Sequence, residues 1–326
     1  MRNSVFRAIA AFGGIFVVAA AAGARPCRLE EGQALIAAGK SSEARPILED
    51  CATGESPNPR AALLLGQSYL FGRDPDRATL WLERATILDP ASSEIQYWLG
   101  RAYGEQALRA SVLHQPALAR KVHRAFERSV ELDPENLSAR MALVEYGMRA
   151  PSFLGGSAER ARLQAEEIRR RDPLKGHHAL GLIAEHQKRF DDAAREYESA
   201  MREFPGSADP VYWRAALARR QKDFEAAFAL LEPLTSRERK EPEALYLFGE
   251  LAASSGLHLD RGEACLKRYL DHAPSGEEPS IASAHLQLGA IHVRRKERDL
   301  ARDEYNAALE KDPTLVEARQ ALLKLK

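Results

Sequence analysis

Residues 174–207, LKGHHALGLIAEHQKRFDDAAREYESAMREFPGS, carry a pattern that returns along most of the chain. Leu180, Gly181, Ala193, Tyr197 and Ala200 mark two amphipathic helices, and Pro205 stops the second. A short, mostly polar turn at residues 188–192 joins them. A hairpin of this length buries about seven apolar side chains, about 10 to 20 kcal/mol gross. Ordering its backbone costs about 1 to 2 kcal/mol per residue. One copy therefore does not fold alone, and its apolar faces call for neighbours of the same kind.

Those neighbours are present. Leu65, Gly66 and Tyr69 fall on one helix, Ala78, Leu82 and Ala85 on the next, and Pro90 closes the unit. The glycine recurs as Gly100, Gly181, Gly249 and Gly289, and the closing proline as Pro134, Pro205, Pro274 and Pro313. Glycine and alanine at these marks let two helices approach closely. Units at 59–92, 174–207 and 282–315 are uninterrupted. The unit at 93–134 carries about ten extra residues around 104–121, and that at 135–173 about five, including 151–157. Units at 208–241 and 242–274 are slightly irregular, with residues 257–261 replacing a normal turn, and a linker at 275–279 precedes the last full repeat. Residues 25–58 form a degenerate first hairpin, in which Glu31 stands where Leu180 would be, and residues 316–326 form a closing helix.

This spacing resembles the tetratricopeptide repeat, a helix–turn–helix unit of about 34 residues. The resemblance covers residues 25–326 and implies an all-α, right-handed α-solenoid of about seven to eight stacked hairpins with a C-terminal capping helix.

The first 24 residues differ from the rest. Arg2 and Arg7 precede an uncharged apolar run at 8–22, and Ala22-Gly23-Ala24 suits cleavage, the pattern of a secretory signal peptide. An uncleaved N-terminal membrane anchor is the alternative, although the uncharged run containing Gly13-Gly14 is short for spanning. Arg25 and Pro26 beside Cys27 do not fit a lipidated cysteine. Export to the periplasm or cell exterior is the expectation, with no stable membrane insertion after cleavage. In an antiparallel hairpin the start of the first helix lies near the end of the second, so Cys27 and Cys51 are placed to bond in an oxidising compartment. Two unpaired small residues are the other reading. Cys265 reads as a buried small hydrophobe.

Lys plus Arg equals Asp plus Glu at 47 each, which leaves no electrostatic footprint for nucleic acid. Gly155-Gly156 lacks the lysine of a phosphate-binding loop, no cysteine pair has zinc spacing and no HExxH occurs. Asp74 and Asp76 lack the glycine and distal glutamate of a calcium loop. Among His177, His178, Glu185 and His186, the partners two turns apart are separated by about 10 Å along the helix, too far to share a metal. The expectation is a non-enzymatic protein with no cofactor and no metal.

In tetratricopeptide proteins the first helices of the repeats line the concave side. Carrying the family's fifth position onto this chain gives Leu63, Tyr97, Ala139, His178, Tyr212, Tyr246 and Leu286. Other concave positions give Gln67, Arg101, Glu105, Tyr146, Lys175, Glu185, Arg219, Arg220 and Glu250. Of these, Tyr97, Arg101, Tyr146, His178, Glu185, Tyr212, Arg219, Tyr246 and Glu250 are the candidate partner-binding residues. Rings among charges of both signs suit a peptide or protein segment. Tyrosines that simply pack between adjacent first helices are the competing reading. The resemblance thus implies a protein-interaction scaffold or adaptor of the cell envelope; the alternative is a small-molecule-binding accessory of a transport or secretion system. The two insertions are expected to emerge on one edge and form a lip near Tyr97, Arg101 and Tyr146, or else to fold over their own repeats.

Overall fold

The computed structural model describes residues 27–38, 40–236, 241–272 and 279–325. The apolar run and cleavage site expected at the N-terminus, and most of the linker at 275–279, lie outside the described residues. Within them the chain forms paired helices and no strand. The pairs are α1 (Leu29–Ala37) with α2 (Ser41–Thr53), α3 (Pro59–Phe71) with α4 (Pro75–Leu88), and α5 (Ser93–Arg109) with α6 (Gln115–Leu132). Then follow α7 (Leu137–Arg149) with α8 (Ala158–Arg171), α9 (Pro173–His186) with α10 (Phe190–Glu203), and α11 (Asp209–Arg220) with α12 (Phe224–Leu231). The last pairs are α13 (Pro242–Ser255) with α14 (Leu259–Asp271) and α15 (Ile281–Arg294) with α16 (Arg298–Lys311), closed by α17 (Val316–Lys324). The second helix of each hairpin packs on the first helix of the next, and first helices of successive hairpins also touch, as α7 does α9 and α9 does α11. The result is an α-solenoid whose buried residues run along the stack in several clusters.

The glycine mark has a steric cause. A β-carbon on Gly181 would come within 2.1 Å of the Tyr197 ring, and one on Gly66 within 2.4 Å of Leu82. In the hairpins that carry the glycine, the first helix leaves room for one large side chain of the second. Tyr197 fills that room with 1% exposure, and its hydroxyl donates to Glu185 at 2.6 Å.

Four turns within hairpins follow one design. Arg73, Lys188, Lys222 and Lys296 occupy the same place after α3, α9, α11 and α15, each with φ between 58° and 64°. The next residue's N–H then reaches back to the helix, as Asp74 to the Tyr69 carbonyl at 2.9 Å and Arg189 to the Ala184 carbonyl at 2.8 Å. This is a Schellman ending with a basic residue where glycine is usual. Its positive charge lies at the negative end of the helix dipole.

At the N-terminal end, Cys27 and Cys51 are disulfide-bonded with Cα atoms 4.8 Å apart. Cys51 and Leu48 belong to the buried face of α2, so the bond ties the chain ahead of α1 to the stack. Cys265 is buried, and burial pushes its thiol up to about 11.

The two insertions take different forms. The first is mainly helix: α5 continues to Arg109 and α6 begins at Gln115, leaving only residues 110–114 between them. The second is a loop after α7, with a 3-10 turn at Ser152–Leu154 and Gly155 at φ 96°.

Candidate functional site

A cavity of about 1240 Å³ opens on the side of the stack formed by first helices. α5 contributes Tyr97, Arg101 and Glu105, α7 contributes Ser138, Met141, Glu145, Tyr146 and Arg149, α9 contributes Lys175 and His178, and α11 contributes Asp209 and Trp213. Both insertions complete its wall, the first through Leu108, Val112, Pro116 and Ala119 and the second through Pro151, Phe153 and Leu154.

Tyr146 holds the two insertions together. Its hydroxyl donates to the Leu154 carbonyl at 2.6 Å and lies 3.0 Å from that of Ala119. His123 stacks on the same ring with centroids 4.9 Å apart. Tyr146 is therefore a brace that presents part of its ring to the cavity, and burial raises its pKa. Both insertions stand beside Tyr97, Arg101 and Tyr146, around one opening.

At one end of the cavity Tyr97 packs against Trp98 and Phe126, with centroids 5.6 and 6.1 Å away. The Arg101 guanidinium lies 4.6 Å from the Trp98 ring centre. At the other end His178 stacks on Trp213, centroids 4.2 Å apart and planes 11° from parallel. Burial lowers the His178 pKa to about 4, so the imidazole is neutral at pH 7 and serves as a flat, weakly polar ring. Trp213 was not among the candidates. It occupies the sixth position of its repeat, as Trp98 does of its own, and two tryptophans at one repeat position was the available signal.

The remaining candidates are placed differently. Tyr212 and Tyr246 are 9% and 8% exposed and sit in the seams between hairpins. The Tyr212 hydroxyl points to Glu241 ahead of α13 at 3.5 Å, and the Tyr246 ring lies 5.4 Å from that of Tyr269. Burial raises both phenol pKa values. Glu185 is 7% exposed, accepts from Tyr197, and pairs with Arg220 of the next hairpin. Arg219 pairs with Glu250 at 2.8 Å across the following seam. The expected row of concave tyrosines thus contracts to Tyr97, with the other two packing between first helices.

The charges divide the same way. Toward the C-terminus the candidate charges are paired with each other. Around the cavity, Glu105, Glu145, Arg149 and Asp209 make no ion pair among the described residues, while Lys175 pairs only locally with Asp172 at 3.3 Å. The cavity therefore offers an apolar floor at Met141, Ala142 and Trp213, rimmed by charges of both signs. Among the described residues no group of three or more His, Cys, Asp or Glu side chains is arranged to hold a metal ion.

Comparison with known proteins matches two tetratricopeptide repeat models, one over residues 184–251 and the other over 29–93, 153–208 and 246–316. Tetratricopeptide repeat protein 7B of Homo sapiens is 28% identical over 186 residues, covering 52% of this chain but 21% of that protein; its Mus musculus counterpart matches equally. The chain thus spans about a fifth of the length of these relatives. A tetratricopeptide repeat protein from Parabacteroides merdae ATCC 43184 superposes with a TM-score of 0.51 over 91% of this chain and 96% of its own, at 14% identity, a likeness of fold alone. The second model matches more than half of the chain, from the first hairpin to the last. With its stacked hairpins, its glycine-marked helix pairs and this match, the chain belongs to the tetratricopeptide repeat family.

Proposed function

We propose that this protein is a non-enzymatic scaffold of the cell envelope that holds a peptide or extended protein segment in the cavity between α5 and α11. The tetratricopeptide fold itself suggests protein–protein interaction. The observation that carries the finer reading is the contrast in charge. The candidate charges of the C-terminal seams pair with each other, whereas Glu105, Glu145, Arg149 and Asp209 at the cavity make no ion pair among the described residues and surround an apolar floor. A peptide supplies what such a site lacks: apolar side chains for the floor and polar groups of both signs for the rim. The volume favours a peptide over a small molecule, since sites for small molecules measure about 300 to 1,000 Å³ and this cavity about 1240 Å³. The apolar run at 8–22 and the Cys27–Cys51 bond support an exported chain.

Ser138 is exposed and lines the cavity, so Ser138→Trp fills it without disturbing the core. Proteins co-purifying from envelope fractions are expected to be lost in Ser138→Trp and kept in Asp303→Trp, at an exposed site on α16. An unchanged catch with Ser138→Trp overturns the assignment.

A further inference from the structure

Four of the five most exposed large apolar side chains among the described residues belong to the two insertions: Leu108 at 78%, Val112 at 78%, Leu113 at 88% and Phe153 at 77%. The insertions are additions to the repeat and are not needed to close the stack, so packing gives no reason for this crest. Nor does the cavity account for all of it. Leu108, Val112 and Phe153 stand at its mouth, whereas Leu113 does not line it.

The charge around the crest is equally uneven. The chain as a whole has no net charge, yet residues 105–128 and 145–162 together hold eight arginines and lysines against four glutamates. Behind the crest, α6 buries Val122, Phe126 and Ser129 and turns Arg120 and Arg124 outward, one turn apart on its exposed face. Neither makes an ion pair among the described residues. Arg149, at the end of α7 beside the second insertion, has none either.

We propose that this edge of the solenoid is a membrane-surface anchor, in which Leu108, Val112, Leu113 and Phe153 dip into the headgroup region while Arg120, Arg124 and Arg149 meet anionic lipid. Apolar side chains at a tip backed by arginines are the composition of interfacial binding. The arginines supply the complement to a negatively charged leaflet, each contributing to attraction within a Debye length of the surface. The attachment is peripheral, because no described helix is long and apolar enough to cross a membrane. It shares Leu108, Val112, Phe153 and Arg149 with the cavity wall, and it would hold the cavity mouth close to the lipid.

The test uses purified protein and vesicles alone, so its result bears on the crest and not on the protein partner. The wild type should co-sediment with phosphatidylcholine vesicles containing phosphatidylglycerol and stay in solution with phosphatidylcholine alone. Val112→Glu with Leu113→Glu should abolish sedimentation. Arg120→Gln with Arg124→Gln should weaken it about thirtyfold, and added salt should weaken it further. All four sites are exposed, and an unchanged circular dichroism spectrum establishes that each variant keeps its fold. Wild type that stays in solution with anionic vesicles overturns the proposal, and assigns the crest to the protein partner if partner capture is lost in the Val112/Leu113 variant. Sedimentation left unchanged by either pair of substitutions also overturns it.

Discussion

His178 and Trp213 form the flattest contact in the cavity, and the histidine's protonation state makes that contact measurable. Burial holds its pKa near 4, below the ordinary value of about 6.5. Between those values the unfolded chain takes up a proton that the folded chain refuses, so stability falls as pH drops from about 6.5 and levels off below about 4. Complete refusal corresponds to about 3 kcal/mol. His178→Phe keeps a ring on Trp213 and removes the titration. Urea denaturation at pH 7 and pH 4.5 should show the variant losing about 2 kcal/mol less than the wild type; parallel losses would mean the imidazole is not held neutral. Gly181 gives a second residue-scale test, because any added carbon meets a tyrosine ring fixed by its bond to Glu185. Gly181→Ala should cost about 1 to 3 kcal/mol, read as a lower urea midpoint, and an unchanged midpoint would show that Tyr197 can move aside. The role of Gly181 was legible in the sequence because the same residue returns at the same place in other repeats. The fate of Tyr212 and Tyr246 was not. Repeat position puts a ring on the first helix, but the helix's rotation decides whether it faces the groove or the next hairpin.

At the scale of the element, the first hairpin depends most on a cross-link. α1 has 9 residues, with Gly32 as its buried one, and Glu31 stands in place of the usual leucine. The Cys27–Cys51 bond closes 24 positions of chain and contributes about 3 to 4 kcal/mol on the chain-entropy model. Because each hairpin touches only its neighbours, losing the bond should act locally. Hydrogen exchange of Cys27→Ser with Cys51→Ser should speed up across α1 and α2 by about a hundredfold or more, with α9 to α16 unchanged. Uniform acceleration along the chain would show that the stack unfolds as one unit. The helix pairs themselves were readable from glycine, alanine and proline spacing. The first insertion was readable only as extra length: its run of Ala, Leu, Gln and Arg favours helix as readily as a surface connection, and it extends α5 and α6. The turns were hidden because Arg73, Lys188, Lys222 and Lys296 hold the left-handed position without the glycine that usually announces it.

Across the whole molecule, the inner face of the solenoid divides into a stretch whose charges are paired with each other and a stretch where most are not. From α11 to α16, ion pairs and phenol contacts tie hairpin to hairpin, as Arg219 to Glu250 and Arg295 to Asp260 at 2.6 Å. Between α5 and α11 the inner face opens into a cavity where Glu105, Glu145, Arg149 and Asp209 make no ion pair among the described residues and whose mouth is edged by two insertions. Periodicity located that inner face, since repeat position alone assigned Tyr97, Arg101, Tyr146 and His178 to it. It did not identify the stretch of the face that is open, which depends on how the insertions fold against Tyr146. The most direct test is photo-crosslinking from the cavity lining, with a photoactivatable residue at position 138 compared with one at position 303 on α16, in envelope fractions. A discrete crosslinked protein is expected from position 138, displaced by excess unlabelled wild type and absent from position 303. The same product from both positions, or none from position 138 while the protein still co-purifies with partners, would contradict it.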